Sequence, residues 1–168
     1  MRALPRSSLM TVRPEWIDFN GHLNMAYYNV LFDEAVDELY PWIGFGPDYQ
    51  QLGCTTYVAE FHICYVRELH EGDQAYVDFR LIDYDAKRFH SYQELYHADG
   101  WLAATAEGLT LHVDQSGPKV APMPDNILSQ LGKLHEAQKD LPQPDRLGSR
   151  IGIRRPAGKT AASAPDSN

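Results

Sequence analysis

Apolar side chains recur at a helical spacing early in the chain. Their positions are offset by 3, 4, 7 and 11 residues, and polar residues occupy the opposite side. We therefore predict an amphipathic helix over 26–40 that begins after an Asn24 cap and ends at Pro41 or Gly44. The apolar stripe needs a second layer to cover it, and it consists of Tyr28, Leu31, Phe32, Ala35 and Leu39.

Downstream of this helix, apolar and polar residues alternate in four long runs separated by turn-forming residues. Short turns of this kind predict an antiparallel meander. A strand over 9–17, broken at Pro14, precedes the helix, and a weaker helix over 125–139 follows the last run. The four runs cover residues 55–66, 75–82, 88–96 and 101–113.

The order strand, helix and four strands indicates one sheet with a face that the early helix covers. We predict an α+β fold in which a five-stranded antiparallel sheet wraps around a central helix, the arrangement called hotdog. Such a sheet has an exposed edge strand, which pairing with a second copy would protect. Self-association as a homodimer or tetramer is expected on that ground.

Composition and charge exclude several classes of protein. The 168 residues carry a formal charge of −8, which disfavours a nucleic-acid binder, and no apolar run reaches the roughly 20 residues that a membrane-spanning helix needs. Cys54 and Cys64 are too few for a disulfide framework and are placed on one face of one strand. The start of the chain is too polar for a secretory signal, so the cytoplasm is the expected compartment.

The last 28 residues differ from the rest. Residues 141–168 contain four prolines and carry a local charge of +3, whereas residues 1–140 carry −11. We divide the chain into a folded domain over 1–140 and a basic tail rich in Pro, Gly and Ala over 141–168. The tail is either solvated or docked through apolar residues of its segment 147–153.

The densest polar cluster, residues 18–24, directly precedes the predicted helix. A helix start presents free N–H groups and the positive end of the helix dipole, which suit an anionic oxygen. Asp18 beside such a site can act as general base or nucleophile, and Gly21 permits a close turn. A plain turn-forming role for Asp18 explains the local pattern equally well.

The segment 12–28, which contains Asp18, Gly21, His22 and Asn24, resembles the entry to the hotdog-fold acyl-CoA thioesterases of the 4-hydroxybenzoyl-CoA thioesterase superfamily. In that family an Asp, two residues and a Gly precede the helix. Further stretches at 85–90, 102–107, 112–114 and 121–124 are similar to the thioesterase domain that is fused to, or acts beside, L-carnitine dehydrogenases on betainyl-CoA.

The resemblance implies an acyl-CoA thioester hydrolase that needs no cofactor. By position, Asp18 matches the catalytic carboxylate and the backbone N–H of Met25 matches the oxyanion donor. His22 and Asn24 are added polar groups that would orient Asp18 or a water, although His22 serves equally well as a loop hydrogen bonder.

Aromatic residues and one carboxylate near this region are the candidates for holding the acyl group. Aromatic faces hold a quaternary ammonium, although the same residues also suit a core. Glu60 lies in mid-strand, where either a substrate-facing role or a pair with Arg80 or Arg88 accounts for it. Asp33 and Glu34 fit a solvated helix face. The proposed substrate-binding set is Trp16, Tyr27, Tyr28, Tyr57, Glu60 and Tyr65.

The basic tail could compensate for the acidic body, which repels the phosphates of coenzyme A. We expect Arg150, Arg154 or Arg155 to bind those phosphates. Two alternatives to hydrolysis stay open, a hotdog enoyl-CoA hydratase or dehydratase and a non-catalytic acyl-CoA-binding protein. The four histidines of the strand region lack a metal-ligand spacing, so no metal site is predicted.

Overall fold

The computed structural model describes residues 4–153. The strands are β1 (Met10–Thr11), β2 (Cys54–Tyr65), β3 (Gln74–Tyr84), β4 (Arg88–His97), β5 (Leu102–Asp114) and β6 (Lys119–Val120). They form one antiparallel sheet in the order β1-β3-β4-β5-β2, with β6 beside β5. The helices are α1 (Met25–Leu39), α2 (Pro47–Gln51) and α3 (Asp125–Gln138), with 3₁₀ turns at Pro14–Trp16 and Tyr40–Ile43.

Helix α1 packs on one face of the sheet, which we call the inner face. All five residues of the predicted apolar stripe are buried, and the core around them includes Leu95, Ala104 and Ala106 from the central strands. Helix α3 covers the remainder of the inner face through Ile127, Leu131 and other residues of a second cluster. The predicted α+β hotdog fold is confirmed.

The predicted first strand is mostly wrong. Only Met10–Thr11 pairs with β3, and Pro14 then opens a 3₁₀ turn in which Trp16 N–H donates to the Arg13 carbonyl at 3.1 Å. Proline fixes its own φ and lacks an N–H, so it starts a turn more readily than it continues a strand.

The predicted meander holds for β3, β4 and β5 only, because β2 pairs with β5 rather than with β3. The connection between β2 and β3 crosses the beginning of α1. There Leu69 is fully buried, its N–H donates to the Tyr28 hydroxyl at 3.0 Å, and its carbonyl accepts from Leu23 N–H at 2.7 Å. This crossing leaves the outer edge of β2 unpaired among the described residues.

A β-bulge between Val58 and Glu60 interrupts the alternation along β2. After the bulge, Phe61 and Ile63 pack against the inner core, whereas before it Cys54 contacts the second core cluster. Because one extra residue reverses the alternation, Cys54 and Cys64 point to opposite faces. The sequence-based placement of both cysteines on one face was wrong.

The described part of the tail, residues 141–153, runs along the outer face of the sheet. The Arg80 guanidinium donates to the carbonyl oxygens of Leu141 and Pro142, and Gly148 N–H donates to Glu107 Oε2 at 2.7 Å. Arg154 and Arg155 lie outside the described residues. Within 4–153, no helix has the length and apolar character needed to cross a bilayer.

Candidate active site

Asp18 lies in a tight loop that a short bridge closes between Ile17 and Leu23. Asp18 N–H donates to the His22 carbonyl at 3.0 Å, and Gly21 N–H donates to the Asp18 carbonyl, also at 3.0 Å. Gly21 has a φ of 83°, in the left-handed region that side chains with a Cβ disfavour. Backbone hydrogen bonds therefore fix the conformation of the loop at Asp18.

The carboxylate of Asp18 is oriented by the backbone. Its Oδ1 accepts from Asn20 N–H at 2.8 Å, and the side chain is only 16% exposed. His22 Nδ1 lies 3.9 Å from Oδ1, too far for a hydrogen bond. Among residues 4–153, Oδ2 has no hydrogen-bond partner, so this oxygen is available to take a proton from water or to attack an acyl carbon.

The beginning of α1 lies two residues past this loop. Asn24 caps the helix, since its Oδ1 accepts from Ala26 N–H and its carbonyl accepts from Tyr27 N–H, both at 3.0 Å. The Met25 N–H has no acceptor in the described part of the chain. The free amide and the helix dipole together favour a negative oxygen at this point.

Four of the six proposed substrate-binding residues surround the helix start, where they act in packing. Trp16 is buried and stacks on Tyr27 with 5.4 Å between ring centroids. Tyr28 is buried against the Tyr65 ring, and burial raises the pKa of Tyr28. The Tyr65 hydroxyl donates to the Met25 carbonyl at 3.2 Å, which ties β2 to the first turn of α1.

Within one protomer, Tyr57 lies far from the aromatic residues that surround the start of α1. It lies eight residues before Tyr65 on β2, about 26 Å away at the usual strand rise. The bulge also places the two side chains on opposite faces of the sheet. A single protomer therefore does not form an aromatic cage from Tyr57 and Tyr65.

Glu60 is exposed at the bulge, so an ionised carboxylate there costs little. Neither of the cations considered as its partner is bonded to it, since Arg88 pairs with Asp85 at 2.8 Å and Arg80 holds the tail. Glu60 instead lines a cavity of about 740 Å³ on the outer face, together with His62.

Arg150 lines this same outer-face cavity. The cavity also contains Glu60 and Glu107, and Glu107 accepts from Gly148 N–H and lies 2.8 Å from His90 Nε2. The two carboxylates offset the charge of Arg150, so the described part of the tail is a weaker phosphate site than its composition predicts.

Three of the four histidines of the strands, His90, His97 and His112, have local partners. Besides the contact of His90 with Glu107, the His97 ring stacks on Trp101, and His112 Nδ1 lies 2.8 Å from the Ala121 carbonyl. No group of three or more His, Cys, Asp or Glu residues within 4–153 is arranged to hold a metal ion.

Sequence reasoning missed two features of the region. One is the backbone N–H of Asn20, which donates to Asp18 and orients its carboxylate in an Asx turn. Asp commonly forms such a turn with the residue two positions on, so the Asp-x-Asn spacing was its signal. The other is a cavity of about 220 Å³ between α1 and the sheet, lined by Asp33 and Gln93 among others. Its signal was a glutamine at an inward-facing position of β4.

The architecture and site define a class, hotdog-fold proteins with a carboxylate at the start of the central helix. The model of the thioesterase-like superfamily matches residues 12–131. The chain is 35% identical over 144 residues to the betainyl-CoA thioesterase of Pseudomonas aeruginosa, covering 84% of this chain and 91% of that protein. It is also 35% identical to the L-carnitine dehydrogenase/betainyl-CoA thioesterase of Agrobacterium fabrum, where the match covers 81% of this chain but only 28% of the longer relative.

The solved structures agree with this grouping. A Staphylococcus aureus protein in complex with CoA superposes with a TM-score of 0.83 at 30% identity, over 90% of this chain and 96% of that one. The chain belongs to the thioesterase-like superfamily. It is an acyl-CoA thioesterase, a thioester hydrolase, as the thioesterase resemblance implied, and neither a hydratase nor a non-catalytic binder is needed to explain it.

Proposed function

We propose that the chain hydrolyses betainyl-CoA, with Asp18 as the catalytic carboxylate and the Met25 N–H as the oxyanion donor. One observation carries the proposal: a shielded, hydrogen-bonded carboxylate stands directly before a helix whose first amide has no acceptor in the described chain. The names of the relatives supply the acyl group.

The overall reaction consumes one water and yields betaine and free coenzyme A. In the nucleophilic route, Asp18 Oδ2 attacks the thioester carbon, the C–S bond breaks, and the thiolate leaves and takes up a proton. Water then cleaves the mixed anhydride. In the general-base route, Asp18 takes a proton from the water that attacks the carbon and later delivers it to the leaving sulfur. In both routes the Met25 N–H stabilises the negative carbonyl oxygen.

The orientation of Asp18 by the Asn20 amide suits either route, because it leaves Oδ2 free. His22 and Asn24 take indirect parts in the proposal. Asn24 caps the first turn of α1 and so holds the backbone that carries the Met25 N–H. His22 closes the loop through its carbonyl oxygen, which accepts from Asp18 N–H.

We further propose that the protein works as a homodimer joined along β2. This strand has 12 residues, and Tyr57 and Val58 on its free edge are 52% and 59% exposed. An edge of that length promotes pairing with a second chain. Antiparallel pairing with a second copy would bring the Tyr57 end of one β2 beside the Tyr65 end of the other.

The coenzyme A phosphates are the expected ligands of the tail. We retain Arg150, Arg154 and Arg155 as candidates, with residues 141–168 as an appendage to a catalytic domain of 1–140. The tail's local charge of +3 supports this, although Glu60 and Glu107 beside Arg150 oppose it. A chain ending at Asp140 should show a raised KM for acyl-CoA and an unchanged KM for an N-acetylcysteamine thioester.

The test of the function is thiol release from a panel of acyl-CoAs, with the molar mass of the protein measured by light scattering in the same buffer. We expect the highest kcat/KM for betainyl-CoA and a mass of two chains. Preference for a long-chain, aromatic or anionic acyl-CoA would refute the substrate assignment, and an active monomer would refute the dimer.

A further inference from the structure

The 220 Å³ cavity lies between the second and fourth turns of α1 and the inner face of the sheet. Three aromatic residues, Phe32, Tyr40 and Phe61, form part of its wall. Phe61 fits because residue 108 is glycine, where a Cβ atom would come within 3.0 Å of the Phe61 ring. Burial raises the pKa of Tyr40 to about 12, so Tyr40 presents a neutral ring.

Gln93 contributes an unsatisfied polar group to this cavity. The residue is 3% exposed, yet its side-chain amide makes no hydrogen bond with any described residue, and its Oε1 is fully buried. Buried amides in native proteins nearly always have partners, so an orphan beside a cavity indicates that a polar ligand or a water completes it.

The charge at the mouth of the cavity is negative. Asp33 lines it and has no ion pair or hydrogen bond to a described residue. Asp37, one turn further along α1, lines an adjoining cavity of about 530 Å³ that shares Asp33 and Tyr40 with the first. Among residues 4–153, neither lining includes a Lys or an Arg. A cation is favoured here, and an anionic acyl group is repelled.

The dimensions suit a short acyl group. Asp33 lies eight residues beyond Met25, about 12 Å along the helix axis. Two contacts take up part of that length: about 2.9 Å between the Met25 nitrogen and the carbonyl oxygen, and several ångströms between the ligand cation and the Asp33 carboxylate. The acyl group has to fit in the remainder. The volume of about 220 Å³ is below the roughly 300–1,000 Å³ typical of sites for drug-sized ligands, so this cavity by itself suits a short acyl group.

We infer that this cavity is the acyl subsite and that Asp33, with the faces of Phe32, Tyr40 and Phe61, selects acyl groups ending in a quaternary ammonium. The inference rests on the proposed function and adds the residue that decides specificity. Glu34, the neighbouring helix acid, has a different role, because Arg13 Nη2 donates to it at 3.0 Å.

The test compares two non-hydrolysable thioether analogues of the acyl-CoA, one ending in trimethylammonium and one ending in tert-butyl. They have nearly the same shape and differ in charge. Their Kd values are measured by calorimetry for the wild-type chain, for Asp33→Asn and for Asp48→Asn, a matched control that removes an exposed carboxylate outside both cavities. Asp33 is itself exposed, so its substitution should leave the fold intact.

We expect the wild-type chain and Asp48→Asn to bind the cationic analogue about tenfold more tightly than the neutral one, and Asp33→Asn to lose that preference while its Kd for the neutral analogue stays within about twofold. Equal binding of both analogues by the wild-type chain, or an unchanged preference in Asp33→Asn, would overturn the inference. Hydrolysis of betainyl-CoA is measured separately: failure there with an intact preference would refute the proposed substrate but leave the cationic subsite standing.

Discussion

The beginning and the middle of α1 differ in how completely their polar groups are satisfied. At the beginning, Asp18 Oδ1, Asn24 Oδ1 and the Tyr28 hydroxyl each have a defined hydrogen-bond partner, whereas Asp18 Oδ2 and the Met25 N–H have none among the described residues. In the middle, Asp33 and Gln93 have no partners among the described residues.

In the function that we propose, this difference separates two tasks along one helix. Attack on a thioester needs groups held within a fraction of an ångström, which closed loops and caps provide. Recognition of a cation needs negative charge left uncompensated until the ligand arrives. The buried, unsatisfied amide of Gln93 on β4 reduces stability, and such a loss is expected at a site that a ligand completes.

Removing the carboxylate at the beginning of α1 should have the largest effect. Asp18→Asn keeps an acceptor for Asn20 N–H but cannot attack or take a proton, so kcat should fall by about 10²–10⁴-fold. Asp114→Asn is the matched control, since Asp114 Oδ1 accepts from Ser116 N–H at 2.9 Å in the same local geometry. Near-normal thiol release by Asp18→Asn would remove Asp18 from the mechanism.

The kcat should depend on the backbone conformation of the Asp18 loop. Gly21 and Gly72 have φ values of 83° and 80°, and a Cβ atom at either would meet no atom of the described residues within 4 Å. Alanine at either position should lower the free energy of unfolding by about 1–2 kcal/mol. Only Gly21→Ala should also lower kcat, by about tenfold or more, because it displaces Asp18. Equal kcat values for the two variants would show that the loop tolerates movement.

Loss of a partner at the beginning of α1 should destabilise the fold. Tyr28→Phe leaves the buried Leu69 N–H without its acceptor and should lower the free energy of unfolding by about 1–3 kcal/mol in urea titrations. Tyr65→Phe is the control: it removes a hydroxyl from a residue that is 47% exposed and should cost less. A larger loss for Tyr65→Phe would contradict the contrast between satisfied buried groups and exposed ones.

Beside the middle of α1, removal of a polar group should stabilise the fold rather than destabilise it. Gln93→Met replaces the orphan amide by an apolar side chain of similar size, which should raise the free energy of unfolding by about 1 kcal/mol. The same variant should bind the trimethylammonium analogue more weakly. Destabilisation by Gln93→Met would show that the amide already has a partner, such as a bound water.

The sequence predicted the parts of the fold that depend on local periodicity. The five buried positions of α1 and the Asn24 cap follow from spacing and from the preference of asparagine for helix starts. Each of the four long strands lies within a few residues of its predicted range. The pairing of β2 with β5 was missed because it depends on Leu69 crossing the start of α1, a long-range packing event without a local signal.

The site was predictable only in part. The motif assigns roles to Asp18 and Met25 that stay predictions. The bulge between Val58 and Glu60 has no clear sequence signal, and it changed the expected positions of Tyr57 and Cys54. Asp33 is exposed, as the predicted solvated helix face requires, but helical periodicity does not show that the sheet leaves a cavity beside it.

The most direct test of the account is a crystal structure of Asp18→Asn with bound betainyl-CoA. We predict that the thioester carbonyl oxygen lies about 2.7–3.1 Å from the Met25 amide nitrogen. We also predict that the quaternary nitrogen lies within about 6 Å of the Phe61 or Tyr40 ring centroid, on the side of Asp33. A carbonyl oxygen bound away from the start of α1, or an ammonium group outside the cavity between α1 and the sheet, would contradict the account.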